Sequence, residues 1–167
     1  MSKLLPDGRR LITGFLFPGD FLGLSIADVY AYTAEALVET SLCRFDRAKL
    51  IKLLERFPKL EHRLLELASN EIVEAQAHML VLSRKTATER LASIVATLSE
   101  RIGHNSDGVK IIELPMTRQD LADYLGLTTE TVSRTFTELR DEGVLTLPHA
   151  RQIQVVAPEK LAMISGD

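Results

Sequence analysis

Two oppositely charged side chains, Glu130 and Arg134, stand four positions apart in a stretch with helical spacing. On a helix this spacing puts both side chains on one face. In the major groove of DNA a carboxylate can accept a hydrogen bond from the amino group of cytosine, and a guanidinium can donate two to guanine. The same pair could also be an ordinary intrahelical ion pair on a solvated face. The surrounding residues decide which interpretation is favoured.

The segment 114–145 has the spacing of a helix-turn-helix. Small Ala122 lets two helices approach, Gly126 gives the turn its backbone freedom, and β-branched Val132 fills the space between the helices. Apolar residues at helical spacing form a core stripe, whose members are Leu121, Leu125, Leu127, Val132, Phe136 and Leu139. Thr129 and Ser133 are left on the opposite face with the charged pair. This context favours base reading over the ion pair, and the runs 144–147 and 152–156, joined by residues 148–151, predict a β-hairpin wing.

These residues resemble the Crp/Fnr transcription regulators, and within them the Fnr/FixK branch. The stretch TRQDLADYLGLTTETVSR is similar to the helix-turn-helix of the family, and ETVSR to the recognition signature of that branch. The similarity extends upstream through LSRKTATERLASIVATLSER and GDFLGL, and so covers nearly the whole chain. It implies a homodimer that binds double-stranded DNA and contacts RNA polymerase.

The resemblance also implies a set of DNA contacts. Glu130 and Arg134 would read the G·C pair of a TGA core, and Ser133 would help to read the outer thymine-rich step. Thr129 stands where Crp-type members carry an arginine, so a guanine at that base pair is not demanded. A TTGA-N6-TCAA palindrome is therefore favoured over a Crp-type TGTGA site. The residues that match the phosphate contacts of the family are Thr117, Arg118, Gln119, Thr128, Thr131 and His149.

Residues 46–102 have helical patterns. Asp46 is expected to cap a short helix that ends before Pro58, and a longer helix should follow from about Lys59. An uncharged heptad seam runs along this second helix through Leu65, Ala68, Ile72, Ala75, Met79 and Leu82. It could pack against its own domain, but the absence of charge and the resemblance favour a homodimer. Thr86 and Glu89 have capping-box spacing and predict the start of the next helix.

The first 45 residues are expected to form part of a β-domain. Residues 11–24 and 36–46 have strand character, and Pro18-Gly19-Asp20 predicts a turn between strands. By the resemblance they match only the later part of a cyclic-nucleotide-binding-like β-roll; the earlier strands are either encoded upstream of Met1 or missing from a truncated sensor.

The expected fold of the whole chain is α+β: a partial β-roll sensor domain in 1–45, connecting and dimerisation helices in 46–85, and a winged helix-turn-helix DNA-binding domain in 86–167. Residues 103–108 are expected to be a linker to a short strand.

No cofactor is expected in this chain. Cyclic-nucleotide-binding members carry Gly-Glu and then Arg-Ser or Arg-Thr, which anchor ribose and phosphate. Here Gly23-Leu24 and Tyr30-Ala31 stand in those places, so neither charged anchor is present. An iron–sulfur cluster of the oxygen-sensing relatives needs four thiolates, and Cys43 is the only cysteine. We expect Cys43 to be a small buried apolar residue.

Composition excludes several other classes of protein. The net charge of −3 argues against a generic nucleic-acid coat protein, and no apolar run approaches the roughly 20 residues of a membrane span, so a cytoplasmic protein is expected. The histidines are scattered, with His62 and His78 on the polar side of a helix, and there is no Gly-rich phosphate loop or nucleophile elbow, so no enzyme is expected. The alternative is a truncated dimerising interaction protein that modulates full-length regulators or blocks promoters; the intact DNA-reading residues favour the regulator.

Overall fold

The N-terminal segment contains a small antiparallel sheet. The computed structural model describes residues 1–23 and 29–166, and its first strands are β1 (Ser2–Leu4) and β2 (Arg10–Ile12), with Ser2 opposite Ile12. The predicted turn is present, because the backbone N–H of Asp20 donates to the carbonyl of Phe17 at 3.0 Å and Gly19 has a φ of +95°. The strand predicted over 11–24 ends at Ile12, however.

The strand predicted over 36–46 is wrong. These residues, all of them described, have no strand structure and are exposed throughout. Their apolar alternation is typical of a strand, but a strand needs a neighbour that accepts and donates backbone hydrogen bonds, and none of the described strands pairs with this segment. Cys43 is consequently exposed rather than buried, which corrects the expectation for that residue.

Three helices follow, and the sequence predicted where each begins. Helix α1 (Arg47–Arg56) starts at Asp46, whose side chain accepts from the backbone N–H of Lys49 at 3.1 Å. Helix α2 (Pro58–Arg84) begins at a proline, which is favourable in the first turn because its nitrogen needs no partner there. Helix α3 (Ala87–Arg101) begins with the capping box of Thr86 and Glu89.

The C-terminal part is a winged helix-turn-helix. Its elements are β3 (His104–Ser106), β4 (Val109–Glu113), α4 (Arg118–Leu125), α5 (Thr129–Asp141), β5 (Leu145–His149), β6 (Gln152–Val155) and α6 (Pro158–Ser165). The four strands form an antiparallel sheet in the order β3-β4-β6-β5. Helix α6 was not predicted. The predicted wing is confirmed, although β5 continues through Pro148 and the pairing register shifts between Thr146 and His149, since proline cannot donate to the ladder.

The linker predicted over 103–108 is wrong, because this stretch forms a β-hairpin. Strands β3 and β4 are joined by Asp107 and Gly108, with φ values of +50° and +81°. Positive φ at both central residues is the conformation of the tightest hairpin turns, for which Asp-Gly is a preferred pair.

The hydrophobic core lies almost wholly in the C-terminal part. Apart from Ile12, the buried apolar residues of the described chain fall between Leu91 and Leu161. Neither α1 nor α2, both fully described, contains a buried residue. The helix-turn-helix is therefore anchored on a packed core, while the apolar side chains of α2 are largely uncovered. None of the helices in the described residues has the length and apolar character needed to cross a membrane.

Candidate nucleic-acid interface

The turn between α4 and α5 is built as the sequence predicted. Gly126 ends α4 with a φ of +63°, a left-handed conformation that costs glycine least. Ala122 and Val132 are fully buried, and the carbonyl of Ala122 accepts from the backbone N–H of Leu127 at 3.0 Å. Helix α5 is then capped by Thr128, whose hydroxyl accepts from the backbone N–H of Thr131 at 3.1 Å. These contacts fix the direction in which α5 leaves the turn.

The exposed face of α5 carries the residues predicted to read bases. Glu130, Ser133 and Arg134 are exposed, and Thr129 is half-buried at the start of the helix. The Nε atom of Arg134 lies 3.6 Å from Glu138, one turn further along, so Arg134 has an ion-pair partner other than Glu130. Both of these side chains are largely exposed, and an exposed pair contributes at most about 1 kcal/mol. Arg134 can therefore exchange this partner for a base at little cost.

Several predicted phosphate contacts also cap the two helices. The hydroxyl of Thr117 donates to the carboxylate of Asp120 at 2.7 Å and accepts from its backbone N–H at 3.1 Å. The hydroxyls of Thr128 and Thr131 lie 2.9 Å apart at the start of α5. His149 is exposed at the end of β5 in the wing. The structure thus places three of these threonines at helix N-termini, where backbone N–H groups and the helix dipole favour anions.

Arg118 lies differently from an exposed phosphate contact. Its guanidinium carbon is 3.4 Å from the centre of the Phe136 ring. Its Nη1 atom is buried and, within the described chain, has no hydrogen-bond partner. Burial lowers the pKa of Arg118 to about 10, so the side chain stays charged at neutral pH. Arg118 could contact a phosphate through its side chain or through its backbone N–H, and this arrangement favours the backbone N–H in the first turn of α4.

A contact that the sequence did not predict joins the N-terminal segment to α4. Arg10, in β2, donates from Nε to the Oδ2 of Asp123 at 2.9 Å and pairs through Nη2 with Asp120. The other oxygen of Asp123 accepts from the amide nitrogen of Gln119 at 2.6 Å, and the amide oxygen of Gln119 accepts from the hydroxyl of Thr129 at 2.6 Å. No signal in the sequence indicates these partners, because Arg10 precedes them by more than a hundred residues.

The surroundings of Asp120 keep it ionised. Burial acts to raise the pKa of this carboxyl, but hydrogen bonds from Thr117 and the pairing with Arg10 outweigh burial and lower the pKa below its ordinary value. A carboxylate at this position would repel DNA phosphates if it were unpaired. Arg10 offsets part of this charge, because its single positive charge is shared between Asp120 and Asp123.

The outer side of α4 packs against both α2 and the N-terminal segment. The ring of His78, in α2, stacks on that of Tyr124 at 4.0 Å with 12° between the ring planes, and Phe15 lies 5.1 Å from Tyr124 on the N-terminal side. His78 is therefore half-buried rather than on the polar side of α2, which corrects the prediction for this residue. Burial lowers its pKa. A cleft of about 480 Å³ lies beside these rings.

The predicted heptad seam of α2 is mostly uncovered. Leu65, Ile72, Ala75 and Met79 are exposed, while Ala68 is partly covered. Leu82, the last member, is half-buried, and its carbonyl accepts from Arg90 at 2.7 Å. Nothing in the described chain buries the apolar residues of this seam from Leu65 to Met79.

Two pairs of residues, Gly23-Leu24 and Tyr30-Ala31, stand in place of the cyclic-nucleotide anchors. Leu24 lies outside the described residues, while Tyr30 and Ala31 are exposed. Within residues 1–23 and 29–166, no group of three or more histidine, cysteine, aspartate or glutamate side chains is placed to hold a metal ion.

Comparisons with known proteins agree with this architecture. The chain matches the Crp-like helix-turn-helix domain at residues 89–164 and the cyclic nucleotide-binding domain at residues 1–57. The nitrogen fixation regulation protein FixK of Bradyrhizobium diazoefficiens is 44% identical over 166 residues, which cover 99% of this chain and 70% of that protein. The transcriptional activatory protein AadR of Rhodopseudomonas palustris is 41% identical over 167 residues, 99% of this chain and 69% of that protein. The structure of FixK2 from Bradyrhizobium japonicum superposes with a TM-score of 0.89 at 38% identity, covering 98% of this chain and 80% of that one.

Proposed function

Because the chain belongs to the Crp/Fnr family of DNA-binding transcription regulators, in the branch of FixK and FnrL, we propose that it binds a TTGA-N6-TCAA palindrome as a homodimer. The observation that carries this proposal is the exposed face of α5, where Glu130, Ser133 and Arg134 stand opposite the fully buried Val132. Glutamate suits the amino group of cytosine and arginine suits guanine, which together give the G·C pair of the half-site.

The uncovered seam of α2 supports the homodimer. Most of its apolar residues are exposed in the single chain, and pairing with a second copy would bury them in the manner of a coiled coil. A two-fold dimer presents two recognition helices about one helical turn of DNA apart, which matches the spacing of the palindrome. We retain the division into a sensor segment in 1–45, connecting and dimerisation helices in 46–85 and a DNA-binding domain in 86–167.

The proposed interface binds through local groups rather than through overall charge. The chain has a net charge of −3, so its whole field does not attract DNA. The N-termini of α4 and α5, with Thr117, Gln119, Thr128 and Thr131, supply the phosphate contacts. Regulation then follows from contact of the bound dimer with RNA polymerase.

Arg134→Ala tests the function directly. We expect a loss of roughly 1–3 kcal/mol per half-site and a relaxed preference at guanine, because a bidentate contact carries that much discrimination. The control is Arg140→Ala on the same helix, where the exposed arginine pairs only with the neighbouring Asp141 in the described chain; this variant should keep the preference. The measurement is competition binding on a randomised palindrome at one salt concentration, because the phosphate contribution varies with salt. Binding of the unaltered protein no tighter than to random duplex, or an unchanged preference in Arg134→Ala, would contradict the proposal.

A further inference from the structure

The hydroxyl of Thr129 is held by a chain of side chains that begins in the N-terminal segment. We propose that Arg10, Asp123 and Gln119 are positioning residues that make Thr129 a hydrogen-bond acceptor toward DNA, and so set its base preference against guanine. The inference rests on the proposed function, because it requires Thr129 to face a base in the major groove.

The direction of each hydrogen bond follows from the chemistry of Asp123. An ionised carboxylate can only accept. Asp123 must therefore take the amide nitrogen of Gln119, at 2.6 Å, and not the amide oxygen. The amide oxygen is then turned toward Thr129, 2.6 Å away, and a carbonyl oxygen can only accept. The single hydroxyl hydrogen of Thr129 is consequently used within the protein.

Arg10 holds Asp123 in the orientation that this arrangement needs. Its guanidinium spans both carboxylates of α4, with Nε 2.9 Å from the Oδ2 of Asp123 and Nη2 on Asp120. The side chains of Asp120 and Asp123 are only 7% and 14% exposed, so solvent screens these pairs weakly. Because Arg10 occupies one oxygen of Asp123, the other oxygen stays directed at Gln119.

Thr129 can then offer DNA only its oxygen lone pairs and its methyl group. Adenine and cytosine present amino donors in the major groove, and thymine presents a methyl group, so each of them has a suitable contact. Guanine presents the acceptors N7 and O6 there, and these would face an oxygen that has no hydrogen to give. If Gln119 were free to turn its amide, the hydroxyl could donate outward and guanine would be accepted.

The experiment compares duplexes that differ only at the base pair facing Thr129, in competition binding at one salt concentration. Asp123→Asn keeps the shape of the side chain but allows the amide of Gln119 to turn, and Arg10→Gln removes the group that holds Asp123. In both variants we expect the discrimination against guanine to fall about three- to tenfold, the range of one hydrogen bond. The preference at the guanine read by Arg134 should stay as it is. Arg9→Gln is the matched control, since Arg9 is exposed and pairs with Asp7.

Removing the hydroxyl of Thr129 distinguishes the positioning role of Asp123 from a general effect of Asp123→Asn on the structure. Thr129→Val keeps the methyl group and the shape but has no hydrogen to direct, so Asp123→Asn should change nothing further in that background. Thr129→Arg shows that the assay detects an acquired guanine preference.

Three results would overturn the inference. The first is a guanine discrimination in Asp123→Asn equal to that of the Arg9→Gln control. The second is an equal effect of Asp123→Asn with and without the hydroxyl of Thr129. The third is that the unaltered protein binds the palindrome no more tightly than random duplex. This third result would contradict the proposed function as well, whereas the first two leave the proposed function intact. If Arg10→Gln does not fold, as judged by circular dichroism, the result for Asp123→Asn alone decides.

Discussion

The position of the Arg118 side chain bears on whether it contacts a phosphate or covers the ring of Phe136. A buried guanidinium nitrogen without a partner destabilises the folded protein, whereas the stacking of the guanidinium on Phe136 stabilises it. The two contributions are opposite in sign, and each is on the order of 1 kcal/mol. The side chain therefore acts mainly as a cover over the ring.

We predict that Arg118→Leu changes the free energy of unfolding by no more than about 1 kcal/mol, because leucine still covers Phe136 and leaves no nitrogen unpaired. Arg118→Ala should instead destabilise by about 1 kcal/mol or more, since it uncovers the ring. Urea denaturation of the two variants and the unaltered protein measures this difference. Affinity for DNA should fall less in Arg118→Leu than in Arg134→Ala. A large uniform loss of affinity on all duplexes would show that the guanidinium moves to a phosphate on binding.

At the scale of elements, the predictions that succeeded rest on signals that one short segment contains in full. The predicted caps at Asp46 and Thr86 and the predicted turn at Gly126 are each complete within a few residues. The pattern over 36–46 failed because a strand depends on a partner elsewhere. The hairpin after Gly103 was missed although Asp-Gly is a strong turn signal, and α6 was missed although Pro158 and Gly166 bracket it.

The candidate site was predictable where helical spacing decides it, and not where its contacts join remote parts of the chain. The sequence predicted which residues of α5 face outward, because helical spacing alone decides that. It could not predict the roles of Arg10 and Asp123, or the stacking of His78 on Tyr124. These contacts join elements that are remote in the chain, and nothing in a local pattern reports which remote side chain lies opposite.

For α2 we predict that Ile72→Glu yields monomers. In a homodimer through the seam two carboxylates would be buried face to face, which should cost several kcal/mol. Val73→Glu is a matched control, because Val73 is 60% exposed and Ile72 59%, and only Ile72 belongs to the seam. Sedimentation of both variants and the unaltered protein provides the measurement. A monomeric unaltered protein at high micromolar concentration, or a dimeric Ile72→Glu variant, would show that this seam is not the interface.

At the scale of the whole molecule, the N-terminal segment and α2 contact the helix-turn-helix in addition to its packing on the core. Arg10 reaches α4 from β2, the rings of Phe15 and His78 pack on Tyr124, and Arg90 donates to the carbonyls of Leu82 at 2.7 Å and of Leu125 at 3.0 Å. All three end on α4 or its immediate neighbours. The N-terminal segment and α2 thus both contact α4, while α5, which follows α4, is also held by the core through Val132, Phe136 and Leu139.

The His78 contact gives this arrangement a dependence on pH. Burial lowers the pKa of His78 from its ordinary value of 6.5, and the charge of Arg90 lowers it further, against a hydrogen bond with the backbone of Tyr124 that raises it. The Nε2 atom is buried without a partner in the described residues. The folded protein therefore favours the neutral ring, and protonation of His78 destabilises the folded state because the charged ring would be buried.

The sign of the effect follows from the two protonation states. Well above pH 6.5 the ring is neutral in both the folded and the unfolded chain, so His78 contributes no pH dependence to the free energy of unfolding there. As the pH falls through 6.5 toward the lower pKa of the folded state, the unfolded chain binds a proton more readily than the folded chain does, and the free energy of unfolding declines.

We predict that the Tm of His78→Phe, which keeps an aromatic ring on Tyr124, falls less between neutral and mildly acidic pH than the Tm of the unaltered protein. His62→Gln, at an exposed histidine of the same helix, should lose as much as the unaltered protein. Equal losses of Tm in His78→Phe and His62→Gln on acidification would mean that the stacked ring does not titrate against the fold.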